Sequence, residues 1–227
     1  MKPLPKRACL ALCCLALIAA AKFEAGTVGP VDDAQQQPDF LAFRDSLRAA
    51  IQNKNVESLL KHVDTNVQCS LGGEEGIADF RKKWKLDQNP GASPLWQELG
   101  RILALGGAFQ KEQFVAPYVY AKWPESYDSF QFAAITGQNV NVRARAALDA
   151  PALKQSTYGI VRIVLDSWEA PPTQTIDGET WPWVKVGLSN GAEGYVWGKY
   201  VVSPLGYRAG FNKTNGEWKL IFLVAGD

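Results

Sequence analysis

The spacing of apolar residues changes near Phe109, and this change most restricts the folds open to the chain. Before Phe109, apolar side chains recur every three or four positions, as on one face of a helix. After it, short runs alternate apolar and polar residues between turn residues, as β-strands do. We therefore predict an α+β protein with a helical N-terminal part and a strand-rich C-terminal part.

Four helices are predicted in the first half. The most regular begins at Pro38, which suits the first position of a helix, and carries Phe40, Phe43, Leu47 and Ile51 on one face. The other three and one strand are expected as follows: a short helix capped by Asn55, a strand from Asp64 to Leu71, a helix from Glu74 to Lys85, and a helix that begins at Ser93 and Pro94 and ends at Gly106.

Seven strands are predicted in the second half: Phe114–Lys122, Val140–Arg143, Gly159–Leu165, Trp181–Val186, Gly194–Trp197, Arg208–Phe211 and Trp218–Val224. The last two are joined through Asn215-Gly216, a dipeptide that favours a tight hairpin turn. We therefore expect the chain to end in a β-hairpin.

The N-terminus has the pattern of a secretory signal peptide. Three basic residues precede an uncharged apolar run from Ala8 to Ala21, fourteen residues where a membrane span needs about twenty. Cleavage after Ala21 would yield an exported protein, periplasmic or secreted, with no membrane span in the mature chain. The alternative is a lipid anchor on Cys13 or Cys14. Residues 22–37 have no apolar period and are expected to form a flexible leader.

Charge and composition exclude several classes of function. The chain has 24 Lys and Arg against 23 Asp and Glu, and cleavage would leave 21 against 23. That balance lacks the basic field of a nucleic-acid-binding protein, so no nucleic acid partner is expected. With one His and four Cys, the chain is also short of ligands for a metal site, and we predict no metal and no cofactor.

No catalytic constellation stands out, so we predict that the protein is not an enzyme. Cys69 and His62 are seven residues apart across a helix-to-strand boundary, without a third orienting group. Cys69 lies in an apolar alternation typical of a buried cysteine. Glu74, Glu75 and Asp79 fall at a helix start, where acidic residues are common, although spacing alone leaves an acid–base pair open.

Residues 135–203 resemble the bacterial Src-homology-3 domain, an SH3-like β-barrel. The resemblance is carried by these segments: Asn139–Arg143, Ala150–Leu153, Gly159–Ile163, Trp183–Val186, Asn190–Val196 and Tyr200–Val201. An insertion from Asp166 to Thr180 is expected to lengthen one loop. The resemblance implies that the protein binds a peptide or a cell-wall (peptidoglycan) strand.

Strand alternation predicts which side chains fill this barrel. Val184, Val186 and Val196 would point inward, leaving aromatic rings outside. The candidate ligand-binding residues are these rings: Trp168, Trp181, Trp183, Tyr195 and Trp197. The alternative, which we favour, is that the helical part covers them, because eight tryptophans must pack somewhere.

The flanking parts resemble the nuclear-transport-factor-2-like cone fold. Phe40 to Trp84 has the helix, helix, strand and helix order of its opening, and Phe211 to Leu220 is similar to its last hairpin. The resemblance implies a barrel inserted into, or docked across, a cone. Otherwise the C-terminal hairpin extends the barrel sheet.

The predicted organisation is therefore as follows: signal peptide 1–21, leader 22–37, helical α+β part 38–130, SH3-like barrel 131–204, and C-terminal hairpin 205–227 packing on the rest. The function that fits is an exported, non-catalytic binding module. Two alternatives stay open: a small-molecule-binding or enzymatic pocket in the cone, and a purely structural scaffold. The sequence does not determine the oligomeric state.

Overall fold

A computed structural model of the protein describes residues 22–165 and 171–226. Its helices and strands confirm the predicted α+β class. The predicted signal peptide and the candidate Trp168 lie outside the described residues. In the two described ranges, no helix has the length and apolar character that crossing a bilayer requires.

The first half contains these elements: α1 Pro38–Gln52, α2 Val56–Leu60, β1 Val63–Gln68, α3 Gly76–Lys83, α4 Leu95–Ala104, β2 Ala108–Gln110, β3 Gln113–Ala116 and α5 Tyr118–Ala121. The four predicted helices are confirmed. Their starts follow local chemistry: the Asn55 side chain accepts a hydrogen bond from the Ser58 amide at 3.0 Å, and the Ser93 hydroxyl accepts one from Leu95 at 3.2 Å.

The second half contains these strands: β4 Phe132–Ile135, β5 Val140–Arg143, β6 Ala152–Ser156, β7 Ile160–Ile163, β8 Thr173–Ile176, β9 Glu179–Gly187, β10 Glu193–Trp197, β11 Val201–Val202, β12 Arg208–Thr214 and β13 Glu217–Val224. The C-terminal hairpin is confirmed as β12 and β13. Its turn residues Asn215 and Gly216 both have positive φ, 52° and 84°, as a tight hairpin turn needs.

Two predicted segments differ from the structure. The strand predicted over 114–122 ends at Ala116, because Pro117 has no N–H to continue the ladder, and the one-turn helix α5 follows. The insertion predicted as a loop contains β8, which pairs with β9 in a second hairpin. Asp177 and Gly178 form the turn of this hairpin with φ of 51° and 79°. This part of the insertion is therefore regular secondary structure and not an irregular loop.

The described residues form two sheets, and the strands of the second lie between those of the first in the sequence. The first sheet has the order β1-β13-β12-β3-β2, with β1 and β13 parallel. The second has the order β11-β4-β7-β9-β10-β5-β6, with β8 attached to β9. The C-terminal hairpin therefore joins the sheet of the helical part and not the second sheet. We call residues 132–202 the inserted unit, and 33–121 with 208–224 the enclosing unit.

Each unit has its own apolar core, and a third buried cluster packs Tyr118 and Val119 of α5 against Ala134 and Ile160 of the inserted unit. In the enclosing unit, aromatic rings fill the space between α1 and the first sheet: the ring centroids of Phe40 and Phe114 lie 4.3 Å apart, and those of Phe40 and Trp218 4.9 Å. The core of the inserted unit is aliphatic: Ile135, Val140, Val142, Val161, Val186, Leu188 and Val196. Val184 packs against it while partly buried. The predicted strand register, with valines inside, is therefore what the structure has.

The segment predicted as a flexible leader, residues 22–37, packs against α1 and against the inserted unit. Its Ala34 is fully buried, and Asp32 pairs with the buried Arg44 of α1 at 2.6 Å. The Val28 amide donates a hydrogen bond to the Tyr158 carbonyl of the inserted unit at 3.0 Å. These contacts use backbone groups and single side chains, so they leave no apolar period for sequence analysis to detect.

Candidate functional site

Two of the candidate rings lie side by side beneath β8. Trp183 of β9 and Trp197 of β10 are register partners, and they are only 2% and 7% exposed. Both indole N–H groups donate to Gln174: Trp183 to its side-chain oxygen at 3.0 Å, and Trp197 to its backbone carbonyl at 3.1 Å. Strand β8, rather than the helical part, therefore covers and orients this pair of rings.

The other two candidate rings in the described residues, Trp181 and Tyr195, lie away from this pair. Trp181 donates its indole N–H to Glu179 at 3.0 Å, and the Arg101 guanidinium of α4 lies 4.6 Å from its ring centre. Tyr195 is half-buried and lies opposite Lys185 and Arg143 in the sheet. The four rings therefore do not form one exposed surface, and only Trp181 contacts the helical part in the way that the covering alternative requires.

The indole pair lines a cleft of about 290 Å³, which we call the front cleft. Its rim carries three amide side chains, those of Gln138, Asn139 and Asn141. Amides can both donate and accept hydrogen bonds, so they suit a ligand with a repeating amide or hydroxyl backbone. The cleft thus combines the exposed edges of two rigid indole rings with groups that donate and accept hydrogen bonds, which is the composition of a ligand pocket.

Three charged residues, Arg143, Asp177 and Lys199, complete the front cleft. Arg143 donates to the Ala150 carbonyl at 2.7 Å, which fixes the base of the β5–β6 hairpin. Lys199 pairs with Glu179 at 2.6 Å. The hydrogen bond from Lys199 is the main reason that the pKa of the Glu179 carboxyl is lowered, and the indole N–H of Trp181 adds to it. The lysine is therefore held at the cleft edge.

A second cleft of about 380 Å³ lies between α4 and the inserted unit, and we call it the rear cleft. Gln97, Arg101 and Ala104 line it from α4, and Trp181 lines it from β9. Lys199 and Tyr200 line both clefts. The short turn that holds these two residues, Gly198–Tyr200, is therefore the divide between the clefts.

Arg101 fixes that divide to the helical part. Its Nη2 atom donates to the carbonyls of Gly198, Lys199 and Val201 at 3.0, 3.1 and 2.7 Å. Burial lowers the pKa of the guanidinium, while the nearby Glu98 and Glu179 carboxylates raise it. One arginine side chain thus connects α4 to three backbone carbonyls in and next to the turn.

The structure gives the surroundings of the two residues considered as a nucleophile pair, His62 and Cys69. His62 lies 3.0 Å from the Ser46 hydroxyl, and burial lowers the pKa of its imidazole. The buried Cys69 thiol contacts the carbonyls of Val67 and Gly76. Burial raises the pKa of this thiol to about 11, so it is protonated, and a poor nucleophile, at neutral pH.

The acidic residues near Glu74 lie at the start of α3. The Asp79 carboxylate accepts a hydrogen bond from the Glu75 amide at 3.3 Å, as expected of an acidic side chain in the first turn of a helix. Within residues 22–165 and 171–226, no group of three or more His, Cys, Asp and Glu side chains could hold a metal ion.

The interior of the enclosing unit, between α1 and the first sheet, is packed with aromatic rings. Phe40, Phe114 and Phe211 are fully buried, and the centroids of Phe40 and Phe211 are 5.8 Å apart. Aromatic rings at these distances are in direct contact. This packing favours the inserted unit over the interior of the enclosing unit as the place of a ligand site.

Sequence reasoning missed Gln174, Asp177 and Arg101. The first two belong to the β8–β9 hairpin, which the Asp177-Gly178 dipeptide between alternating residues could have indicated. Arg101 has no local signal, because an arginine on a helix is ordinarily solvent-exposed. Comparison with protein-family models and with curated proteins gives no match for the chain.

Proposed function

We propose that the protein is an exported, non-catalytic binding module that recognises a peptide or cell-wall strand through the front cleft of an SH3-like barrel. One observation carries the proposal: two indoles held in place by Gln174 lie in a cleft whose rim bears three amide side chains. The exposed edges of two ordered indole rings, beside groups that donate and accept hydrogen bonds, suit an extended chain with a repeating polar backbone.

Rigidity supports a binding role for these rings. Both indoles are hydrogen-bonded and nearly fully buried, so a ligand that contacts their accessible edges does not have to order them. Binding to pre-ordered side chains avoids an entropy cost of about 0.5–1.5 kcal/mol for each side chain. The apolar run at the N-terminus supports export, which would bring the protein to the compartment where cell-wall strands are found.

A structural role is the second candidate, because the low exposure of Trp183 and Trp197 is also what a packed core requires. In that case the front cleft would be a by-product of the β8–β9 hairpin closing over the sheet. The binding role and the structural role differ in the part played by the amide side chains at the rim. Only a ligand site requires these amides to form hydrogen bonds with a bound molecule.

The test is retention of the purified protein on cell-wall sacculi after Asn141→Ala. Loss of one hydrogen bond to a ligand, worth about 1–1.5 kcal/mol, should weaken retention about tenfold. Gln155→Ala is the matched control, because Gln155 is the register partner of Asn141 on β6 and does not line the front cleft. Equal retention of wild type and Asn141→Ala, or no retention of wild type, would leave the structural role.

A further inference from the structure

The two clefts are neighbours separated only by the turn Gly198–Tyr200. Tyr200 is 37% exposed, and its ring centroid lies 6.0 Å from that of Trp197 in the front cleft. The Lys199 ammonium lies 5.8 Å from the centre of the same Trp197 ring. Since both residues also line the rear cleft, a chain leaving the front cleft across this turn would enter the rear cleft directly.

The rear cleft offers the same kinds of group as the front cleft. It has an indole, Trp181, in place of the front pair, and neutral polar side chains in Gln97 and Thr136. Its volume is similar, about 380 Å³ against about 290 Å³. Both values are near the lower end of the range for small-molecule sites, roughly 300–1,000 Å³, so each cleft suits one small unit of a longer chain.

The divide between the clefts is rigidly positioned. Three carbonyls of the turn region accept hydrogen bonds from Arg101, so the inserted unit is fixed to α4 at this point. Two subsites held at a fixed separation bind a ligand that spans both more tightly than either binds alone, because the second contact is intramolecular.

We propose that the rear cleft is a second subsite, in which α4 of the enclosing unit takes part, for the continuation of a cell-wall strand bound in the front cleft. The inference rests on the proposed function and adds the ligand class: a strand of several repeating units rather than a single unit. The enclosing unit then contributes to recognition through Gln97 and the Arg101–Trp181 pair, and affinity depends on ligand length.

The test compares a single disaccharide-peptide unit of peptidoglycan with strands of several units, titrated into the full chain by calorimetry. The informative variant is Ala104→Arg. Ala104 is exposed on α4 and lines the rear cleft, so an arginine there occupies the cleft without removing a packed group. Ala42→Arg makes the same change at an exposed position of α1 outside both clefts and serves as control.

We expect wild type and Ala42→Arg to bind the longer strands at least tenfold more tightly than the single unit. Ala104→Arg should lower affinity for the longer strands to that for the single unit and leave single-unit binding unchanged. Length-independent binding by wild type, or an Ala104→Arg variant that keeps the length dependence, would overturn the second subsite while leaving front-cleft binding intact. Failure of wild type to bind any of these ligands would overturn the proposed function and the second subsite together.

Discussion

Replacement of Arg101 by alanine tests one of the contacts between the two units, which also share a buried apolar cluster between α5 and the inserted unit. The substitution removes the guanidinium that donates to three carbonyls around the Gly198–Tyr200 turn and lies over the Trp181 ring. One nitrogen, Nη2, makes all three hydrogen bonds, so they count as a single charge-assisted interaction, worth about 1.5–3 kcal/mol. The cation–π contact adds about 0.5–2 kcal/mol.

A desolvation cost offsets part of this gain. Burial already lowers the pKa of the Arg101 guanidinium, and its Nε atom is buried with no hydrogen-bond partner among the described residues. Removing the side chain relieves both costs. We therefore expect Arg101→Ala to lower the free energy of unfolding by about 2–3 kcal/mol, which corresponds to roughly 4–12 °C in Tm for a chain of this size.

Urea denaturation followed by tryptophan fluorescence and far-ultraviolet circular dichroism measures this change. Arg145→Ala is the control: its ion pair with Asp149 is exposed and 3.9 Å long, so a change within about 0.5 kcal/mol is expected. A loss for Arg101→Ala no larger than that of the control would refute the reasoning.

Three further predictions concern buried side chains. Tyr118→Phe removes a buried hydroxyl without a hydrogen-bond partner in the described residues, so the free energy of unfolding in urea at pH 7 should be unchanged or up to ~1 kcal/mol higher. Burial raises the pKa of Tyr118 to about 12, above the value near 10 of the unfolded chain, so wild type should lose stability between pH ~10 and ~12, and this contribution should be absent from the variant. Cys69, with a pKa of about 11, should react slowly with a thiol reagent at pH 8 in the native protein and rapidly in denaturant, as read by peptide mapping. Phe40→Ala should cost about 3–5 kcal/mol in urea denaturation, because its fully buried ring contacts several others.

Each of these predictions has a clear contrary result. A Tyr118→Phe variant that is less stable than wild type by more than ~1 kcal/mol would mean that the hydroxyl is satisfied. Equal rates of Cys69 labelling in native and denatured protein would mean that the thiol is accessible. For Phe40→Ala, the half-buried Phe43→Ala on the same helix is the control, and an equal cost for both would contradict the central position of the Phe40 ring.

Elements with local signals were predictable from the sequence. The periodic apolar face of α1, the Asn55 cap and the Asn215-Gly216 turn all follow from residues close together in the chain, and all are present. Alternation also placed Val186 and Val196 inside the inserted unit, because the two-residue period of a strand is strict.

The arrangement of the candidate site could not be predicted in the same way. Alternation correctly separates Trp183 and Trp197 from the valine side, but it does not show that β8 folds over them and that Gln174 binds both. The hydrogen bonds from Arg101 to the Gly198–Tyr200 turn region connect residues about a hundred positions apart in the sequence. Such contacts depend on how the two units pack, and no property of the residues near Arg101 encodes that packing.

The return of the chain to its first sheet has a consequence for biogenesis. The Asp64 carboxylate at the start of β1 accepts a hydrogen bond from the Thr214 hydroxyl, which is 150 residues later in the chain. In the same way, β1 pairs with its parallel neighbour β13 only after β13 has been synthesised. The strands of the inserted unit therefore leave a ribosome or a translocation channel before β12 and β13 do. Until then, the edge of β1 that pairs with β13 and the edge of β3 that pairs with β12 stay unpaired. Proteolytic removal of the C-terminal hairpin would expose the same two strand edges, while all strand pairs of the inserted unit would remain intact.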